Sequence, residues 1–171
     1  MKRNAGFTLV ELMVALAVIG IVASFGVPSF MHYQAAKGPS DAADQLFGDL
    51  NRIKHLAVKT RRNATITFNA AAGTYQATLT DPATGAVTNY PPVNLNMFRG
   101  GVQIVPDPSG GGVNSVGQIG FTFRGTCPVG SSGPVHFTNN GNSAFFRVRT
   151  TLAGGVSLHR WNPASNSWTS R

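Results

Sequence analysis

One cysteine in 171 residues excludes an intramolecular disulfide, so the fold has to hold without that staple. The residue, Cys127, lies in a Gly/Ser/Pro-rich stretch over residues 125–134, which suits a buried or idle thiol better than a catalytic one. Acid is scarce as well. Asp plus Glu number 6 against 14 Lys plus Arg, and charged residues make up only 12% of the chain. No paired-carboxylate motif appears. His32, His55, His136 and His159 show no metal-ligand spacing with one another or with Cys127. Gly110-Gly111-Gly112 is followed by no Lys-Ser/Thr pair, so it reads as a flexible loop and not as a phosphate-binding one. No catalytic residue, metal or cofactor is expected, and the chain is read as non-enzymatic. The basic surplus would suit anionic lipid, nucleic acid or acidic partners, but on so neutral a surface it selects none of them.

Charge is scarcest over residues 7–27, where 21 residues carry one charged side chain, Glu11. A run of that length can cross a bilayer as a helix. A carboxylate inside such a segment is costly and marks function. Ahead of the run stands a short basic leader with Lys2 and Arg3. A secretory signal peptide would be cut beyond its apolar core at small residues, and Ala23-Ser24-Phe25 fits that poorly. A plain anchor gives Glu11 no purpose.

The order basic leader, Gly6-Phe7-Thr8-Leu9-Val10-Glu11, apolar helix resembles the processing site of type IV pilins and pseudopilins. The resemblance implies a prepilin peptidase that cuts between Gly6 and Phe7 and methylates the new amine of Phe7. Lys2 and Arg3 would hold the leader in the cytoplasm. It also implies that Glu11 neutralises the amine of a neighbouring subunit and so sets axial register. Many major pilins close a C-terminal loop with a cysteine pair. This chain cannot, which tilts the resemblance toward minor pilins and pseudopilins.

The apolar helix is expected to run toward Gln34 with Pro28 as an internal kink, a proline position that is also a pilin habit. Lys37-Gly38-Pro39-Ser40 reads as a break. A second helix then carries Ala43, Leu46, Phe47, Leu50, Ile53 and Ala57 along one stripe, suited to packing on a sheet. From Ala64 the period becomes two. Strands are expected over residues 65–68, 74–79, 86–89, 94–98, 102–105, 119–123, 135–138, 144–151 and 156–161. Asp81-Pro82-Ala83-Thr84-Gly85 and Asn139-Asn140-Gly141-Asn142 read as turns. Residues 107–117 read as a loop.

A helix ending in Ala57-Val58-Lys59-Thr60-Arg61-Arg62-Asn63 before a strand is similar to the GspH/FimT group. The implied fold class is α+β and pilin-like, a long N-terminal transmembrane helix packed on an antiparallel β-sheet globular domain. The expected division is a leader over 1–6, a transmembrane helix over 7–30, a periplasmic helical segment over 31–63 and a β-rich globular domain over 64–171. By resemblance the protein is a minor (H-type) pseudopilin of a type II secretion pseudopilus, or a subunit of a type IV pilus tip complex. Its partners would be the prepilin peptidase, other pilins or pseudopilins and membrane lipid. The implied location is the bacterial inner membrane, crossed once, with entry into a periplasmic or surface filament. A major pilin is one alternative.

The other alternative is DNA binding. In Phe145-Phe146-Arg147-Val148-Arg149, strand alternation puts Arg147 and Arg149 on one face. The next strand puts His159 and Trp161 on one face and Arg160 on the other, and Trp168 and Arg171 lie in a tail able to fold back. Arg147, Arg149, Arg160 and Trp161 are therefore the candidate nucleic-acid contacts, since basic side chains among aromatics hold phosphates and stack bases. Some FimT-like pilins bind DNA through a C-terminal G-R-x-R motif. Here the nearest counterpart, Gly154-Gly155-Val156-Ser157, lacks the arginines, so DNA is not the favoured partner.

Overall fold

The computed structural model describes residues 9–110 and 114–171, without the side chains of residues 25–29, 31, 32, 35 and 36. Gly6 and Phe7 thus lie outside the described residues. The chain divides into two units, Met1–Gln34 and Ala35–Arg171.

Helix α1 (Leu9–Thr60) is assigned without interruption. The break expected at residues 37–40 does not occur. Gly38 and Pro39 are both buried inside the helix, and a Cβ on Gly38 would collide with the carbonyl of Arg99. Glycine serves here for close approach of a second backbone segment and not as a helix stop. Pro39 merely withholds one N–H from the helix ladder. The amphipathic stripe forms as its spacing predicts: Ala43, Leu46, Leu50 and Ala57 are fully buried and Ile53 nearly so, with Phe47 packed beside them.

The helix ends by geometry. Arg61 adopts φ 54°, its N–H reaches the Val58 carbonyl, and the Arg62 N–H reaches the Ala57 carbonyl at 3.0 Å. That is the double bond pattern of a Schellman end, with arginine in the left-handed position glycine usually takes.

The strands are β1 (Asn63–Asn69), β2 (Thr74–Thr80), β3 (Val87–Asn89), β4 (Val93–Asn94), β5 (Val102–Val105), β6 (Gln118–Phe121), β7 (Pro134–Asn139), β8 (Phe145–Thr150), β9 (Val156–Asn162) and β10 (Ser167–Ser170). The first sheet has the order β3-β2-β1-β6, with β4 also on β2, and the second has the order β10-β9-β8-β7-β5. The pairings in both are antiparallel. One hydrophobic cluster joins the helix stripe to Ile66, Tyr75, Leu79, Ile119 and Phe121 of the first sheet and to Val135, Phe137, Phe146 and Val148 of the second.

Residues 94–98, expected as a strand, are otherwise. After β4 comes a 3-10 turn, Leu95–Met97, because the Asn94 side chain accepts the Asn96 N–H at 2.9 Å and caps it. The turn over residues 81–85 forms as expected, with Gly85 at φ 70° and Asp81 Oδ1 accepting the Ala83 N–H at 2.9 Å.

Candidate functional site

Two regions carry the chemistry singled out by the sequence. The first is the start of α1. Glu11 stands in the helical run with which the described residues begin. Around it, Leu9, Val10, Leu12, Met13, Val14, Leu16, Val18, Ile19, Ile21 and Val22 are between 53% and 73% exposed. Among the described residues no helix is long and apolar enough to cross a membrane. The run read as a span is described there with side chains only at residues 9–24 and 30. Helical assignment continues through Pro28, whose side chain lies outside the described residues.

The second region is one face of the second sheet. Register places Arg147 opposite His136 on β7 and opposite His159 on β9, and Trp161 opposite Trp168 on β10. Alternation pairs Arg147 with Arg149 and His159 with Trp161, as the sequence predicts, and the register then brings both pairs to one side. Arg160 faces the other way and is exposed, so it does not join them. The tail does fold back, as β10, which places the Trp168 ring under the Arg147 guanidinium at 4.5 Å.

Sequence reasoning missed His136 and Asp107. All six residues of β7 are buried, so both of its faces are covered. On the outer face, Ser115 accepts the His136 backbone N–H at 2.9 Å and donates to the Val105 carbonyl at 2.6 Å. Its Oγ lies 3.2 Å from His136 Nδ1. Asp107 Oδ2 stands 3.6 Å from His136 Nε2, and the Trp168 ring lies 5.2 Å from the imidazole. The alternating pattern of β7 gave no hint that a segment 20 to 30 residues upstream would close over it.

Burial pushes the His136 imidazole down to about 4, with Asp107 pulling upward and Arg147 adding to the depression. His136 is thus neutral at pH 7, and its approach to Asp107 is not an ion pair under those conditions. Asp107 itself stays below the usual carboxylate range. Burial, the largest influence, raises it, but hydrogen bonding from Ser109 and the charge of His136 outweigh that.

A pH dependence follows. The unfolded chain takes up this histidine's proton near pH 6.5, whereas the folded chain resists until about pH 4. Between those values the unfolded state binds more protons, so stability should fall as the pH is lowered, by roughly 3 kcal/mol at most. Asp107 adds a further loss only at more acidic pH. Urea melts at pH 7 and pH 4.5 should show this drop in the wild type and a much shallower one in His136→Gln. Equal slopes would assign the acid sensitivity elsewhere.

Two other features are structural. An open groove of about 330 Å³ beside α1 is lined by Asp49, Arg52, Tyr75 and Tyr90. There the Tyr75 hydroxyl donates to Asp49 at 2.7 Å, and burial together with that bond pushes the phenol up. Cys127 is buried, and burial raises its thiol while Lys54 and Thr150 pull the other way. Among the described residues no cluster of metal-ligating side chains occurs.

Comparison with known proteins bears on the N-terminal segment and on the fold. The family described as the prokaryotic N-terminal methylation motif matches residues 1–27. The type IV major pilin protein PilA of Myxococcus xanthus is 48% identical over 44 residues, which are 26% of this chain and 20% of that one. The type IV major fimbrial protein FimA of Dichelobacter nodosus is 39% identical over 88 residues, 49% of this chain and 44% of that one. The chain therefore spans less than half the length of these curated relatives. The crystal structure of the type IV minor pilin FimU of Pseudomonas aeruginosa matches with a TM-score of 0.54 at 18% identity, over 80% of this chain and 96% of that one. At that identity the likeness is one of fold.

Proposed function

We propose, from the premise that this chain is type IV pilin-like in its N-terminal motif and in its fold, that it is a non-enzymatic minor subunit of a filament, of the H-type GspH/FimT group. One observation carries the reading. The N-terminal turns described for α1 expose apolar side chains on every side, including Leu9, Val10, Val14, Val22 and Ile19. A patch of that extent on a lone chain needs a cover. Lipid supplies it before assembly and the helices of neighbouring subunits supply it afterwards.

In this scheme the prepilin peptidase removes residues 1–6 and methylates Phe7. The helix over 7–30 is held in the inner membrane with the rest of the chain in the periplasm, and then passes into the filament core. Pro28, with no N–H to give to the ladder, is where the helix yields. Glu11 meets the positive amine of a neighbour and fixes axial register. The filament is a type IV pilus tip complex or a type II secretion pseudopilus. The fold likeness to a minor pilin favours the pilus setting, and the missing cysteine pair favours a minor over a major subunit.

Glu11→Ala tests the scheme. Removing a charge from an apolar segment should leave insertion and leader cleavage intact. Incorporation into sheared filaments, read by immunoblot, should drop to near background. Wild-type incorporation would remove the register role from Glu11.

A second reading, a DNA-binding minor pilin, is favoured by the shared face of Arg147, Arg149 and Trp161 alone. It predicts tight, salt-sensitive duplex binding that Arg147→Ala with Arg149→Ala abolishes.

A further inference from the structure

The outer face of the second sheet holds more positive charge than its surroundings balance. Among the described residues, four buried side-chain nitrogens lack a close hydrogen-bond partner: His136 Nε2 and Trp168 Nε1, which both face the Asp107 carboxylate, and Arg147 Nε and His159 Nδ1, which do not. All four belong to this one cluster, and Arg147 is the one that lines the cavity beside it. Buried polar groups are nearly always satisfied, and a group of orphans in one place calls for a ligand or a relaxed partner. Neither the Arg147 nor the Arg149 guanidinium makes a hydrogen bond or ion pair among the described residues, although both stand in a chain with 6 acidic side chains.

Beside them opens a cavity of about 590 Å³, whose polar lining includes Arg147, Arg149, Ser132 and Thr150. Asp107 also borders it. Its Oδ1 accepts the Ser109 N–H at 2.9 Å, and its Oδ2 stands 3.6 Å from His136 Nε2, beyond hydrogen-bond distance. Two guanidiniums against one carboxylate leave a single net positive charge. The Arg147 guanidinium carbon sits 4.5 Å from the Trp168 ring centroid, so the indole covers one side of that cation.

We propose that this cavity is a binding site for a phosphate-type oxyanion, gripped by the guanidiniums of Arg147 and Arg149. Guanidinium forks match such oxygens in pairs, which a lone ammonium cannot do. The electrostatics agree. Burial chiefly, and Arg149 next, depress Arg147, while His159 is lowered by burial and by both arginines. An anion in the cavity relieves each of these repulsions. The ligand is inorganic phosphate or a phosphate monoester, and the two place the same group between the arginines. The inference stands apart from the assembly scheme, since nothing in it depends on residues 1–30.

The test uses the full chain in detergent, titrated with inorganic phosphate and separately with glycerol 3-phosphate against sodium chloride at matched ionic strength. Binding is read by calorimetry and by the melting midpoint. Phosphate should raise the midpoint above the chloride control, and Arg149→Gln should weaken binding about tenfold or more. Arg149 is exposed, so this variant should fold and melt like the wild type without phosphate. Arg52→Gln, remote on the helix, should keep the wild-type response. Preference for glycerol 3-phosphate over the free ion would identify an ester as the ligand, and the reverse would identify the ion. An equal phosphate response in the wild type and Arg149→Gln would overturn the proposal. So would tight binding of duplex DNA with no response to either small anion.

Discussion

An alanine at Gly154 should strip the globular unit of a large part of its stability. Gly154 is buried at φ 80°, where a side chain strains the backbone. A Cβ there would also run into the Gly125 carbonyl, a backbone atom that cannot swing aside. The turn it belongs to is tied down on several sides. Its N–H donates to the Thr151 carbonyl at 2.8 Å, and its carbonyl accepts from Lys54 Nζ at 2.8 Å. The Cys127 N–H is bound to the Leu152 carbonyl at 3.0 Å. Strain and overpacking together should cost roughly 3 kcal/mol or more, a large part of a typical domain's stability. Gly85→Ala separates the two causes. Gly85 also has a positive φ, 70°, but a methyl there would meet nothing within 4 Å, so this variant should lose only about 1 kcal/mol. Urea melts of both variants decide the matter, and comparable losses would refute the crowding at Gly154.

Gly6→Leu should abolish maturation outright. Gly6 offers no side chain at the bond to be cut, whereas leucine places four carbons beside it. The leader with Lys2 and Arg3 would then remain, the Phe7 nitrogen would stay in a peptide bond, and no amine would exist for a neighbour's Glu11 to neutralise. Mass spectrometry of membrane extracts should find the wild type starting at N-methylated Phe7 and Gly6→Leu starting at or near Met1. Filaments should contain none of the variant. A wild-type chain intact from Met1, or cut near Ala23, would remove the basis of the assembly scheme.

Regular periodicity proved legible. Residues 43–57 repeat at helical spacing, and that stripe is what the core buries. Residues 102–105 alternate and form β5 with those same limits. The failures are local signals overruled by distant contacts. Gly38-Pro39 has the composition of a helix end, but the Arg99 segment presses on the glycine and the helix continues. Asn94 looks like the start of a strand but ends one, β4, and caps the 3-10 turn that follows. Strand β10 is short and polar, so the sequence showed only a tail able to fold back; the turn before it, with Asn166 at φ 47°, lays it on β9. The candidate site divides the same way. Strand alternation sufficed to put Arg147 and Arg149 together. The arrival of Asp107 and Ser115 over His136 depends on a loop closing across the sheet, which no periodicity encodes.

The pairing of Trp161 with Trp168 gives the molecule a built-in optical gauge. They are its only 2 tryptophans, and their ring centroids lie 5.2 Å apart. Indoles that close couple their transitions, so the near-ultraviolet circular dichroism of the whole chain comes largely from one face of one sheet. Trp168 also touches His136 and Arg147. Protonation of that imidazole, displacement of that guanidinium or fraying of the final strand would each change the emission at a known place. No label is needed to follow this face through any of those changes.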